Sequence, residues 1–221
     1  MDPSSRVRLK PHLAVHFNGD TLFDRVARVV CAADCLPRKE LYESWEVARR
    51  TRRRFRGGRV VDLAAGHGLV AHLLLLLDET STEAIAVDRR VPVSAGRLTE
   101  ALAEAWPRLR GAVTYHEGAV EDVELREGDL VVSAHACGLL TDLVLARAAA
   151  ARARVVVLPC CHDIGRCDTG ALTGWMDPAL AIDAVRAQTL ARQGYTVHTQ
   201  TIPARITPKN RLLFGTPHPR A

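Results

Sequence analysis

Aromatic residues are scarce: Phe, Trp and Tyr together make up 5% of the 221 residues. A surface that holds unpaired bases by stacking interleaves aromatic with basic side chains, and there is little here to build one from. Lysine is scarcer still, with Lys10, Lys39 and Lys209 the only three among 30 cations. The rest of the basicity is arginine in an alanine-rich chain, the composition of a GC-rich genome, so arginine count alone argues little. Long apolar runs are missing too. The longest, Leu69 to Leu77, is broken by His72 and falls short of the ~18–20 residues that a bilayer span needs. No apolar segment follows the basic residues of the opening MDPSSRVRLKP, so no secretory signal and a cytoplasmic location are expected. Six cysteines in this length are too few for a disulfide scaffold, and the adjacent Cys160 and Cys161 are awkwardly placed to bridge each other. Catalytic, metal-binding or buried roles are expected of them instead.

What is present reads as an ordinary globular chain, 48% apolar and 25% charged. The formal charge of +5 hides an asymmetry: residues 1–59 carry 14 Lys/Arg against 7 Asp/Glu, and the remainder 16 against 18. From Arg59 onward, short β-branched runs alternate with longer Ala/Leu/Arg segments, the rhythm of βα units on a parallel sheet. Strands are predicted at Arg59–Leu63, Glu83–Val87, Ala112–His116, Leu130–Ala134, Val155–Leu158, Tyr195–Thr201 and Arg211–Gly215. Helices are predicted at Leu69–Leu77, Val91–Trp106, Leu139–Ala151 and Pro178–Gln193. The loop Ile202–Asn210 is too short for a crossover helix, so the last two strands should pair antiparallel. The expected fold is α/β: a Rossmann-like, seven-stranded, mostly parallel sheet with a final antiparallel strand and helices on both faces. Ahead of it, Leu22–Val30 and Pro37–Phe55 read as helices. We expect residues 1–57 to form a helical, basic extension on the substrate side and residues 58–221 the sheet domain. Six arginines crowd Arg49 to Arg56, which reads either as a phosphate grip or as a solvated helix end.

The segment Arg59 to Gly68, R-V-V-D-L-A-A-G-H-G, places an acid at the end of a strand and a G-x-G turn before a helix. Gly66 and Gly68 would let the backbone approach a ligand across the strand ends. Asp62 there suits a cationic group better than a pyrophosphate. Asp88, ending the second strand, is placed to accept both ribose hydroxyls of an adenosine. An acid beside the turn, and Ala71 where the third glycine of a dinucleotide loop would stand, point to S-adenosylmethionine as cofactor. Ala64 stands where such loops often carry glycine. The expected cofactor set is Asp62, Ala64, Gly66, Gly68, Asp88 and His135. His67 reads as a solvated loop residue; Glu121 and Asp122 read either as acids that, with the amides around them, meet the adenine, or as surface acids at a turn.

Two neighbouring strands run into S-A-His135-A-Cys137-G and L-P-Cys160-Cys161-His162-Asp163. On a doubly wound sheet these ends share a rim with the glycine loop. General acid–base work, with His162 foremost, competes with a tetrahedral zinc site and with simple packing of small thiols. The favoured reading gives His162, His135, Cys160 and Cys161 catalytic or acceptor-positioning roles and assigns no metal. Thr141 and Asp142 are placed to cap the following helix. Cys31 and Cys35 read as packing. The early helices and the loop Pro203–Asn210 would wall the acceptor side.

Taken together, V-D-L-A-A-G-H-G, S-A-H-A-C-G-L-L-T-D, V-L-P-C-C-H-D and P-K-N-R-L-L-F resemble a branch of the class I methyltransferases. That branch comprises the acceptor-stem tRNA 2′-O-methyltransferases and related methyltransferase-like proteins. The resemblance spans about Arg59 to Gly215 and rests most specifically on H-A-C-G-x-x-T-D and P-C-C-H. It implies S-adenosylmethionine as methyl donor and an active centre near His135, Cys137, Thr141, Asp142, Cys160, Cys161 and His162. The expected acceptor is RNA or, alternatively, a small molecule or peptide. The amino-terminal cysteine/histidine zinc modules of the eukaryotic tRNA enzymes are missing from this sequence. No membrane partner is expected, and the sequence is silent on oligomeric state.

Overall fold

The computed structural model describes residues 2–220. Seven strands form one sheet: β1 (Val60–Leu63), β2 (Ala84–Asp88), β3 (Val113–Glu117), β4 (Leu130–Ser133), β5 (Arg154–Val157), β6 (Tyr195–Thr201) and β7 (Arg211–Pro217). Their order is β3-β2-β1-β4-β5-β7-β6. β1 to β5 pair parallel, whereas β7 inserts between β5 and β6 and runs antiparallel to both. The short loop between the last two strands leaves only this hairpin, as the sequence predicts.

Among the described residues six α-helices accompany the sheet: α1 (Leu22–Ala33), α2 (Arg38–Arg54), α3 (Leu69–Leu76), α4 (Ala95–Ala105), α5 (Leu139–Ala150) and α6 (Pro178–Arg192). Alternate strand residues face opposite sides. Val60, Ala86, Val132 and Val156 join a core with α1 to α4, while Val61, Val87, Val131 and Val155 join a second core with α5 and α6. The early helices therefore share a continuous core with the sheet. Among the described residues no helix is long and apolar enough to cross a membrane.

Local chemistry sets the helix ends. Thr21 caps α1 by accepting from Asp24 N at 3.1 Å, and Asp177 caps α6 by accepting from Leu180 N at 3.1 Å, with Pro178 in its first turn. The segment predicted helical from Val91 begins only at Ala95, because Val91 N is drawn instead to the Glu117 carboxylate at 2.9 Å. Thr141 and Asp142 do not cap α5. Thr141 Oγ1 donates to Ala136 O at 2.6 Å, and Asp142 pairs with Arg186 across to α6 at 2.8 Å.

The arginine run is largely engaged within the protein. Arg49 and Arg50 hold Glu46 at 2.9 and 3.0 Å, and Arg52 is buried against Asp78 at 3.1 Å. Arg56 donates to Leu77 O at 3.0 Å, while Arg53 and Arg54 are exposed. α2 is roughly 25 Å long at about 1.5 Å per residue. It carries this run at one end and Lys39, Glu40 and Glu43 at the other, where they line the cavities at the strand ends.

Candidate active site

The turn after β1 carries three left-handed residues, Ala64 (φ +59°), Gly66 (φ +54°) and Gly68 (φ +72°). Alanine at the first is strained, since left-handed backbone costs a residue with a Cβ roughly 1–2 kcal/mol. At Gly66 a Cβ would meet nothing within 4 Å, so the space beside this backbone is open to the cleft. At Gly68 a Cβ would come within 2.8 Å of the Tyr115 hydroxyl, which itself donates to His67 O at 2.9 Å. Asp88 holds the loop: one carboxylate oxygen accepts from Gly66 N at 2.8 Å and the other from Arg90 N at 3.2 Å.

Three cavities run along the carboxyl ends of the strands. The first, about 240 Å³, lies between Asp88 and the turn Gly118 to Glu121. The second, about 450 Å³, shares Ala64, Asp88, Arg89 and Leu140 with the first and adds Glu40, Gly66, His67, His135 and Cys137. The third, about 410 Å³, shares Glu40 and His135 with the second and adds Arg6, Lys39, Glu43, Cys160, Cys161 and Lys209 among its walls. The early helices and the loop containing Thr207, Pro208 and Lys209 close this end. Glu121 lines the first cavity, whereas the Asp122 carboxylate is taken by Ala119 N at 2.7 Å.

Three carboxyl groups gather around the glycine turn. Asp62 is buried, and its Oδ2 accepts from Ala71 N in the first turn of α3 at 3.2 Å. Burial, together with the charges of Asp88 and Glu40, pushes its carboxyl up to about 8. Glu40 rises to about 7 through burial and then through repulsion from Glu43, partly offset by Lys39. His67 is not the solvated loop residue expected from sequence. Its Nε2 bonds Ser94 Oγ at 2.9 Å, its Nδ1 lies 3.9 Å from Glu40, and burial lowers its basicity.

At the junction of the second and third cavities, His135 Nε2 is buried without a hydrogen-bond partner, and burial lowers the ring's pKa. An unpaired buried polar atom is costly, and the residue that carries this one lines both cavities. Beside it the β4 and β5 loops are stitched together by Gly138 N donating to Cys161 O at 3.1 Å. This brings Cys137 Sγ to 3.1 Å from Cys160 Sγ, with Cys161 Sγ 3.9 Å beyond Cys160. Burial and the two neighbouring thiols raise the Cys160 pKa, whereas hydrogen bonds with Cys137 and Cys160, and then nearby Lys209 and Lys39, lower that of Cys161.

His162 departs from this rim. Its Nε2 is 2.8 Å from Asp183 Oδ1, within a cluster that also holds Arg186 and Arg211, and its side chain is 3% exposed. The structure thus brings together Ala64, Gly66, Asp88, His135, Cys137, Cys160 and Cys161 along the cleft, keeps Asp62 beneath it and turns His162 toward α6. Sequence reasoning missed Glu40: its early-turn position was visible, but its approach to the glycine loop is a long-range contact.

Comparison with known proteins shows where this fold belongs. A family model described as a methyltransferase domain matches residues 39–164, more than half of the chain. The chain belongs to that methyltransferase-domain family. No curated protein matches it in sequence. Among solved structures, it is similar to the M1A22 tRNA methyltransferase TrmK of B. subtilis, with 16% identity, 80% of this chain and 65% of that chain covered, and a TM-score of 0.55. It is also similar to the mitomycin 7-O-methyltransferase MmcR, with 18% identity, 94% and 60% covered, and a TM-score of 0.54. A third is the precorrin-6y C5,15-methyltransferase of Geobacter metallireducens, with 16% identity, 78% and 88% covered, and a TM-score of 0.51. At these identities the likeness shows a shared fold. This chain spans less than two thirds of the length of the first two structures.

Proposed function

We propose that this methyltransferase domain transfers the methyl group of S-adenosylmethionine to an acceptor held in the third cavity. The observation that carries the reading is the gathering of Asp62, Asp88 and Glu40 around an open glycine turn, with Asp62 and Glu40 held well above the usual carboxylate range first by burial and then by repulsion from neighbouring carboxylates. A pyrophosphate would add to this repulsion. A ligand carrying a sulfonium and an ammonium relieves it. The adenosine would lie in the first cavity, with its ribose hydroxyls on Asp88 and its adenine near Gly118 to Glu121. The methionine portion would lie along Ala64, Gly66, Gly68 and His67, with the sulfonium toward His135 and Glu40. In this arrangement Asp62 acts from beneath the turn through its hold on α3, and ionises when the cation arrives.

Methyl transfer from a sulfonium neutralises charge as the bond forms, so the protein contributes chiefly by aligning donor and acceptor at roughly 3–3.5 Å in a dry cleft. His135, Cys160 and Cys161 would position the acceptor, and Glu40, whose carboxyl ionises when the sulfonium arrives, is placed to take its proton. His162 would act through Asp183 as a positioning residue for this wall.

The third cavity, about 410 Å³, matches the size of small-molecule sites, which favours a compact acceptor. A second reading, an RNA acceptor in line with the tRNA branch resembled by H-A-C-G and P-C-C-H, is supported by Arg6, Lys39 and Lys209 at the same cavity. Labelled methyl donor incubated with fractionated RNA and metabolites tests both. Label in small molecules at rates insensitive to salt supports the first, and label in RNA that falls steeply with salt supports the second. A protein that takes up a nicotinamide dinucleotide but not S-adenosylmethionine in a calorimetric titration refutes the proposal.

A further inference from the structure

The three thiols at the meeting of the second and third cavities form a cluster that neither acid–base chemistry nor packing explains. Cys137, Cys160 and Cys161 each bring a sulfur within 4.8 Å of the other two. Cys137 and Cys161 are exposed and Cys160 is half-buried, whereas thiols serving only to fill space are buried, as Cys31 and Cys35 are. Cys137 lines the cavity that holds the glycine turn, and Cys160 and Cys161 line the next. The cluster therefore faces the place where donor and acceptor would meet.

We propose that Cys137, Cys160 and Cys161 form a three-thiolate site for a thiophilic divalent cation such as zinc, with its fourth position open to the third cavity. Sulfur ligands select soft or borderline cations over magnesium and calcium. Zinc–sulfur bonds of about 2.3 Å in a tetrahedron set the sulfurs roughly 3.8 Å apart. The 3.9 Å between Cys160 and Cys161 already meets this spacing, and the 3.1 Å between Cys137 and Cys160 needs to open by less than an ångström. The frame is firm, because Gly138 N bonds Cys161 O at 3.1 Å and Leu158 N bonds Ser133 O at 2.9 Å, joining the two cysteine loops at their roots. Three thiolates around a dication leave one net negative charge, which Lys209 and Arg6 at this cavity face, while Lys39 is held by Glu43. Three protein ligands with a free fourth position is the arrangement of a reactive metal site, in contrast to a closed structural one. An acceptor bearing a thiol or nitrogen donor could occupy that position and lose its proton to solvent on binding. Only this last point, the acceptor's place, rests on the proposed function; metal binding is measured without any donor.

The test uses the whole chain, reduced and handled anaerobically, with cobalt(II) as the spectroscopic probe. One equivalent should produce a near-ultraviolet thiolate-to-cobalt band, displaced stoichiometrically by zinc, and ethanethiol should change the visible spectrum saturably as it enters the fourth position. Cys160→Ser and Cys161→Ser should each weaken cobalt binding at least tenfold, while Cys31→Ala, remote from the cluster, should leave it unchanged. A donor titration on Cys160→Ser reports whether the glycine loop is intact, so loss of metal and failure of donor binding are read separately. Reduced protein with no charge-transfer band, wild-type affinity in Cys160→Ser, or two thiols already missing from the freshly purified protein, as in a Cys137–Cys160 disulfide, would overturn the site. A spectrum indifferent to ethanethiol would overturn the open position.

Discussion

Replacing Glu40 with glutamine isolates the cost of burying an ionisable acid beside Glu43 at the edge of the glycine turn. The carboxyl titrates near 4.5 in an exposed setting and at about 7 here, raised first by burial and then by Glu43. Because the folded pKa is the higher, the folded state holds more protons between these values, and stability falls as pH rises through the window. Below the lower value both states are protonated and the penalty vanishes; above about 7 it is complete. A gap of about 2.5 units at about 1.4 kcal/mol each sets a ceiling of about 3.5 kcal/mol. The side chain is 21% exposed, and solvent screening reduces this to about 2 kcal/mol. Urea unfolding of the two proteins should therefore show Glu40→Gln gaining about 2 kcal/mol relative to wild type between pH 5 and pH 8.5. The same substitution should weaken S-adenosylmethionine binding at pH 8.5, where a charged partner for the sulfonium has been removed. A stability difference that stays constant across this pH range would refute the reasoning.

The other predictions concern neighbouring parts of the cleft and one remote control. Asp88→Ala removes both the bond to Gly66 N and the ribose acceptor, and calorimetry should show donor affinity falling by about 1.5–3 kcal/mol, the scale of hydrogen bonds to a charged group; an unchanged affinity would contradict the ribose assignment. Ala64→Gly relieves a left-handed alanine, and its melting curve should show stability unchanged or raised by up to about 1 kcal/mol after the unfolded-state entropy is counted. Donor binding near pH 6.5 should release protons from Glu40 and Asp62, whose raised pKa values fall when a cation arrives; titrations in buffers of different ionisation enthalpy would reveal it. Asp78→Asn should destabilise the protein by about 3–5 kcal/mol in urea, because Arg52 is left buried and charged without its partner.

The sheet was legible because parallel strands buried on both faces read as near-continuous β-branched runs, as in Val60-Val61 and Val155-Val156-Val157. The antiparallel pairing of β6 and β7 followed from the length of one loop, whereas the insertion of β7 beside β5 was not legible. Convergence of Cys137 with Cys160 and Cys161 was also legible, since adjacent strands bring their carboxyl ends together. What escaped was side-chain direction and long-range pairing. Cys161 and His162 are consecutive, yet one lines the cleft and the other meets Asp183 on α6, twenty-one residues later. Glu46 was within helical reach of Arg49 and Arg50, a pairing that spacing alone could have shown. Asp78, which neutralises Arg52, comes from the end of α3, and nothing local announced it. Glu40 reaches the glycine turn only because α2 packs along the sheet domain.

The most direct test of the central claim is a crystal structure of the protein soaked with S-adenosylmethionine. The account predicts the ribose on Asp88, the adenine beside Gly118 to Glu121, and the sulfonium at the Gly66 turn facing His135 and Glu40. Ligand density seated elsewhere, or a donor methyl directed away from the cavity of His135, Cys160 and Cys161, would contradict it.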